Sequence, residues 1–149
     1  MANALYDLGR QGFLEGAIDW DTDTIRDTLI RESGGGAGPY YTPNLSTDND
    51  LADIPDNADA RVDGTGASTG ETLGTKTVTA GVADAAPSTH ASVTAGDAIQ
   101  SIVIYQDTTV ANTSRLIANI DTATGLPVTP NGGDITVTWD DGANKIFKL

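Results

Sequence analysis

The chain has 149 residues and a mass of 15.3 kDa, enough for one domain, or one domain with an arm, that buries its own core. It has no Cys, which excludes disulfides, thiolate metal sites and cysteine nucleophiles, and a single His, which excludes His-rich zinc sites and leaves His90 as the only possible base of a Ser-His-Asp triad. The formal net charge of −13, from 21 acids against 8 bases, repels phosphate backbones and anionic lipid, so neither nucleic acid nor membrane is an expected partner.

The opening residues lack the basic region and apolar core of a signal peptide, and no window approaches 18 uncharged apolar residues. Synthesis in a cytoplasm is expected. Indifference to redox state suits a protein that later leaves the cell.

Residues 1–17 read as an arm with a short helix. Leu5, Leu8 and Phe13 fall near one face with Tyr6 beside them, and Asn3 stands where a cap would. Gly9, Gly12 and Gly16 weaken the helix, each by about 1 kcal/mol relative to Ala, so it should form only when docked. From Ile18 to Arg31 the chain reads as one long or kinked strand, rich in β-branched residues. Gly34, Gly35, Gly36 and Gly38 then predict a flexible linker over 33–39. Residues 48–54 could form one helical turn, capped by Asp48, with Leu51 and Ile54 on a shared face. The Gly/Ser/Thr-rich stretch 63–74 reads as a second flexible loop.

From Thr75 the β signal is consistent. Thr75–Thr79 alternates, and His90–Thr94 is a short strand candidate. Residues 98–106 are the most apolar run and should be a central strand, paired as a hairpin with the strand over 115–121. Asp134–Trp139 places Ile135, Val137 and Trp139 on one face. Asp140-Asp141-Gly142 is a tight turn, so 144–149 should close a hairpin on that strand. The expected fold is mainly β, a single antiparallel β-sandwich or barrel over 18–149 with a short N-terminal helical arm.

Candidate chemistry is sparse. Asp19, Asp21 and Asp23 have the spacing of a calcium loop, but Thr24 and Ile30 stand where an EF-hand needs Gly and Glu. A solvated strand face is the plainer reading. Asp48, Asp50, Asp53, Asp56 and Asp59 read as a loop kept soluble by charge. His90 follows Ser88 and Thr89, yet no Gly-x-Ser-x-Gly elbow is present, and a surface or strand-edge histidine is the simpler expectation. Only Glu15, Glu32 and Glu71 are available as Glu, and the aromatic residues are too few for a typical sugar cleft. The Gly-rich runs near Gly34 and Gly64 lack the strand–helix context and the Lys-Ser/Thr of a phosphate loop. Asn44 and Asn112 head glycosylation sequons that have no meaning without secretion. Trp20 and Trp139 read as core residues, with an interface anchor as the sharper alternative. No catalytic residue, cofactor or metal site is expected.

The segment Ala4-Leu-Tyr-Asp-Leu-Gly-Arg-Gln-Gly-Phe-Leu-Glu-Gly-Ala-Ile-Asp-Trp20 resembles the opening of a family of tailed-bacteriophage virion proteins. So do Asp53-Ile-Pro and Ala60-Arg-Val62. The strongest likeness is Thr124-Gly-Leu-Pro-Val-Thr-Pro-Asn-Gly-Gly-Asp-Ile-Thr-Val-Thr-Trp-Asp-Asp-Gly-Ala-Asn-Lys-Ile-Phe-Lys-Leu149. The Gly34-Gly-Gly insert departs from the family's shorter turn. The resemblance implies a virion structural protein with no catalytic residues to carry over. Acidic charge suits an outward-facing protein held at high local density and kept away from packaged DNA. The leading expectation is a capsid-surface decoration (cement) protein on the head. It would bind the major capsid protein and self-associate, a trimer being one arrangement, with Leu5, Leu8, Phe13 and Trp20 as contacts of the arm. A tail or neck component is the alternative; a glycan-binding head fibre is a third.

Overall fold

The computed structural model describes residues 3–32 and 40–149. The linker expected over 33–39 lies outside the described residues.

The fold is mainly β, with several antiparallel sheets and one short helix. Its frame is a five-stranded sheet in the order β1 (Ala4–Leu5), β8 (Leu116–Ile120), β7 (Ser101–Gln106), β2 (Ile25–Ile30), β3 (Glu71–Thr72). The apolar run that predicted a central strand is β7, and it sits in the middle. It pairs with β8 as the expected hairpin, across a register shift between Ile104 and Tyr105. Strands buried on both faces need apolar side chains at every position. Accordingly β8 is buried throughout and β7 up to Tyr105.

Two small sheets cover one face. One has the order β10 (Phe147–Lys148), β5 (Val82–Asp84), β4 (Thr77–Thr79); the other pairs β6 (Ser88–His90) with β9 (Ile135–Val137). Between them and the large sheet lies the main core, which includes Ile25, Leu29, Ile102, Ile104, Ile117, Ala83 and Val137, with Trp139 and Phe147 packed against it. The C-terminal pairing differs from expectation. Residues 144–149 do not fold back on β9. Phe147 pairs with Ala83, and the Leu149 amide donates to the Gly81 carbonyl. The reason is apolar: Phe147 meets Trp20 edge-on at 5.2 Å and Phe13 at 5.7 Å, a cluster that a local hairpin would forgo.

The other face carries a second core of Tyr6, Ile30, Tyr41, Leu51, Ile54, Ala60, Val103, Tyr105 and Leu116. It is roofed largely by the irregular chain from Tyr41 to Ala60. The helical turn expected there is a 3₁₀ turn over Leu51–Asp53, and Leu51 and Ile54 are both fully buried. Its start is tied by Asp53, whose Oδ2 accepts the Asn49 and Asp50 amides at 2.6 and 3.2 Å. Asp48 caps an earlier turn instead, accepting from the Asn44 amide and the Tyr41 hydroxyl.

Residues 3–17 are not a separate arm. Ala4 and Leu5 pair with Asn119 and Ala118, and α1 (Asp7–Glu15) packs on β8. Gly9 permits this closeness: a Cβ there would lie 2.6 Å from the Leu116 carbonyl oxygen and 2.9 Å from the Ile117 Cα. What looked like a helix-weakening residue is thus the contact surface of the helix. Asn3 does not cap it but clamps the chain after β8, giving its Nδ2 to the Thr122 carbonyl and accepting the Asp121 and Thr122 amides.

The strand predicted from Ile18 begins only at Ile25, because Asp19 and Asp23 fold the preceding residues into a turn. Asp19 Oδ1 accepts the Asp21 and Thr22 amides, and Asp23 Oδ2 accepts the Asp19 amide. His90 ends a strand rather than starting one. Residues 63–74 are not a loose loop. They include β3, the buried Thr69 and Leu73, and Gly70, at φ +75, whose Cβ would land on the Asp27 carbonyl oxygen.

Candidate functional site

Along β2, Ile25, Asp27 and Leu29 alternate onto one face, so strand periodicity puts a carboxylate in the main core. An unpaired buried charge is costly. The fold answers with His90, whose Nε2 lies 3.1 Å from Asp27 Oδ2. On the other side of the ring, Nδ1 lies 2.7 Å from Asp63 Oδ2, an ion-pair contact more than an aligned hydrogen bond. The ring is 1% exposed. Ser88 Oγ donates to Asp27 Oδ2 at 2.6 Å. Asp63 also accepts the Thr28 hydroxyl at 2.7 Å and the Leu29 amide at 3.0 Å.

Burial by itself lowers the pKa of His90, but the Asp27 and Asp63 side chains on either side of the ring outweigh it, pushing it up to about 9. At neutral pH the imidazole is therefore held in its protonated form between the two side chains. This arrangement does not suit nucleophilic catalysis. A charged imidazole has no lone pair to take a proton from Ser88, and the Ser88 hydroxyl is turned to Asp27 rather than to the ring. It is instead a fastening that joins β6 to β2 and to the chain after Val62. His90 is thus not at the surface, although β6, which it ends, is an edge strand of its two-stranded sheet. One sequence signal pointed to this centre: Asp27 occupies a core-parity position between Ile25 and Leu29.

A second buried charge lies near the 3₁₀ turn. Arg61 is 1% exposed and gives Nη2 to the Leu51 and Ile54 carbonyls at 2.7 and 2.5 Å and Nη1 to the Gly66 carbonyl at 2.7 Å. Its Nη1 also lies 3.3 Å from the half-exposed Asp56. Desolvation lowers its pKa against the nearby charges. On the same face, Tyr6 Oη shares a 2.8 Å hydrogen bond with Tyr41 Oη, which donates to Asp48 at 2.7 Å. Burial raises both phenol pKa values, most strongly for Tyr41.

The four residues expected to contact a partner do not form one surface. Trp20 is 3% exposed, with its Nε1 given to the Asp84 carbonyl at 3.0 Å, so it is core. Phe13 and Leu5 pack against the main core and Leu8 is half-buried. The exposed apolar residue of the helix is Leu14, at 89%. Asp19, Asp21 and Asp23 lie in a turn, not on a solvated strand face, and among the described residues no three acids or His gather as metal ligands. Among the described residues no helix is long and apolar enough to cross a membrane. No family model matches the chain, and no curated protein matches it either.

Proposed function

We propose that this protein is a structural component of a tailed-phage virion, and that it acts as a decoration protein on the head surface. The likeness of residues 4–20 and 124–149 to such proteins supplies the virion part of the reading, and one structural observation supports a role without surface chemistry. The groups best equipped for chemistry, His90, Asp27, Asp63, Ser88 and Arg61, are buried and engaged with one another or with backbone carbonyls. What remains for function is a cross-tied β body whose surface is acidic and whose sheets end in open edges. A body of this kind suits a protein present in many ordered copies. It stabilises a shell by binding the assembled form and not the dissociated subunits. The N-terminal segment supports this role by stiffening the body, since Leu5, Phe13 and Trp20 are packed within the chain itself.

The test is a count. Purified particles should contain the chain in hundreds of copies on the head, and heads lacking it should release DNA at lower temperature. Six or twelve copies would assign it to the tail or neck. Its absence from purified particles, or turnover of a substrate by the isolated chain, would overturn the reading.

A further inference from the structure

The molecule has a groove of about 730 Å³ between the edges of two sheets. Ala4 and Leu5 of β1 line it on one side and Phe147 and Lys148 of β10 on the other, with Ala118 and Ile120 of β8 between. Each of β1 and β10 is the last strand of its sheet, so each leaves one side without a strand partner among the described residues. Unpaired strand edges are templates for another extended chain.

The charge of the groove is the reverse of the molecule's. Arg10, Lys145 and Lys148 line it against no Asp or Glu side chain, the Leu149 carboxylate being the one anionic group among the lining residues, in a chain with 21 acids and 8 bases. Most other cations are turned inward: Arg26 to Asp107 at 2.7 Å, Arg31 to the Asp97 carbonyl at 3.0 Å, Arg61 to its carbonyls. In the groove, Arg10 pairs with Asp7 on the helix surface and Lys145 lies 3.7 Å from Asp84, while Lys148 has no ion pair among the described residues. Leu5, Ile120, Ile146 and Phe147 complete the lining, in part from the edge of the main core.

We infer that this groove binds an extended, acidic segment of a partner polypeptide, laid along an open strand edge with its carboxylates toward Arg10, Lys145 and Lys148. The inference goes beyond the virion reading and holds for any partner that presents such a segment. A folded nucleic acid fits less well, because the body around the groove repels phosphate and the edges call for backbone donors and acceptors.

The probe is a blocked peptide of about ten residues alternating Asp with Val or Thr, titrated by fluorescence anisotropy against the full chain. A peptide with Lys in place of Asp is the control. The acidic peptide should bind at least about tenfold tighter than the basic one and lose most of that advantage between about 0.05 and 0.5 M salt. Lys148→Glu alone should weaken it several-fold. Lys148→Glu with Arg10→Glu should abolish it while the melting temperature stays near that of the parent, since both side chains lie at the surface. Equal binding of the two peptides, or unchanged binding by the double variant, overturns the inference. So does equal competition by inorganic polyphosphate, which would mean the groove reads charge alone. A dimer that the double variant dissolves, without peptide binding, would give the groove to a second copy and likewise overturn it.

Discussion

Arg61 and His90 are buried to the same degree on different sides of the large sheet, and the fold holds them by different chemistry. Arg61 is held by three backbone carbonyls, with one half-exposed carboxylate at its margin. Its role is to close the ends of irregular chain, and a guanidinium fork stays charged at any ordinary pH. His90 is held by two carboxylates and, among the described residues, by no carbonyl. Its role is to neutralise acids that strand periodicity and a chain reversal place in the core. The first centre organises a loop roof over the second core, and the second fastens sheet to sheet. Burial alone therefore says little about a charged residue; the identity of its partners decides whether it titrates and which elements it joins.

The sharpest way to break the comparison is to remove each cation in turn. His90→Leu leaves Asp27 and Asp63 in the core without their shared counter-charge. It should cost about 3–5 kcal/mol, as breaking a buried pair does, measured by urea unfolding at pH 7. A loss below about 1 kcal/mol would show that the ring is not the counter-ion of the two acids. Arg61→Leu strands the carbonyls of Leu51, Ile54 and Gly66 and should cost about 3 kcal/mol. Its effect should fall first on exchange protection over 41–62, whereas His90→Leu should loosen β6 and β9.

The two centres also part on pH. A pKa raised from 6.5 to about 9 means that the stability His90 contributes is fully present below pH 6.5 and lost as pH rises through about 9. The parent protein should lose on the order of 3 kcal/mol across that window, seen as a falling melting temperature. Arg61→Leu should keep this slope and His90→Leu should flatten it. A flat parent profile would remove the charged imidazole from the account.

The smallest expected effect involves no charge. Gly9→Ala pushes a Cβ against the Leu116 carbonyl oxygen and the Ile117 Cα. It should cost about 1–3 kcal/mol, as overpacking does, against the slight gain that Ala gives an exposed helix. A net gain in melting temperature would return residues 7–15 to the status of a loosely attached arm.

Much of the fold was legible along the chain because it rests on local periodicity. The central strand, its hairpin partner and the shared face of Leu51 and Ile54 follow from apolar spacing alone. So does the one-sided pattern of Ile135 and Val137. The candidate centre was legible only at Asp27, whose core parity can be read from its neighbours. Its partners could not be, because Asp63 and His90 are brought to it from 36 and 63 residues away, and no local pattern encodes that meeting.

Composition and periodicity by themselves determined a β-rich, acidic body without thiol chemistry, since strand alternation and charge count need no partner. Tertiary structure alone decided that β10 pairs with β5, that Gly9 is a contact and not a flaw, and that the lone histidine is an internal cation. Each of these depends on which distant surfaces exclude water together, and that free energy belongs to the pair of segments and to neither one separately.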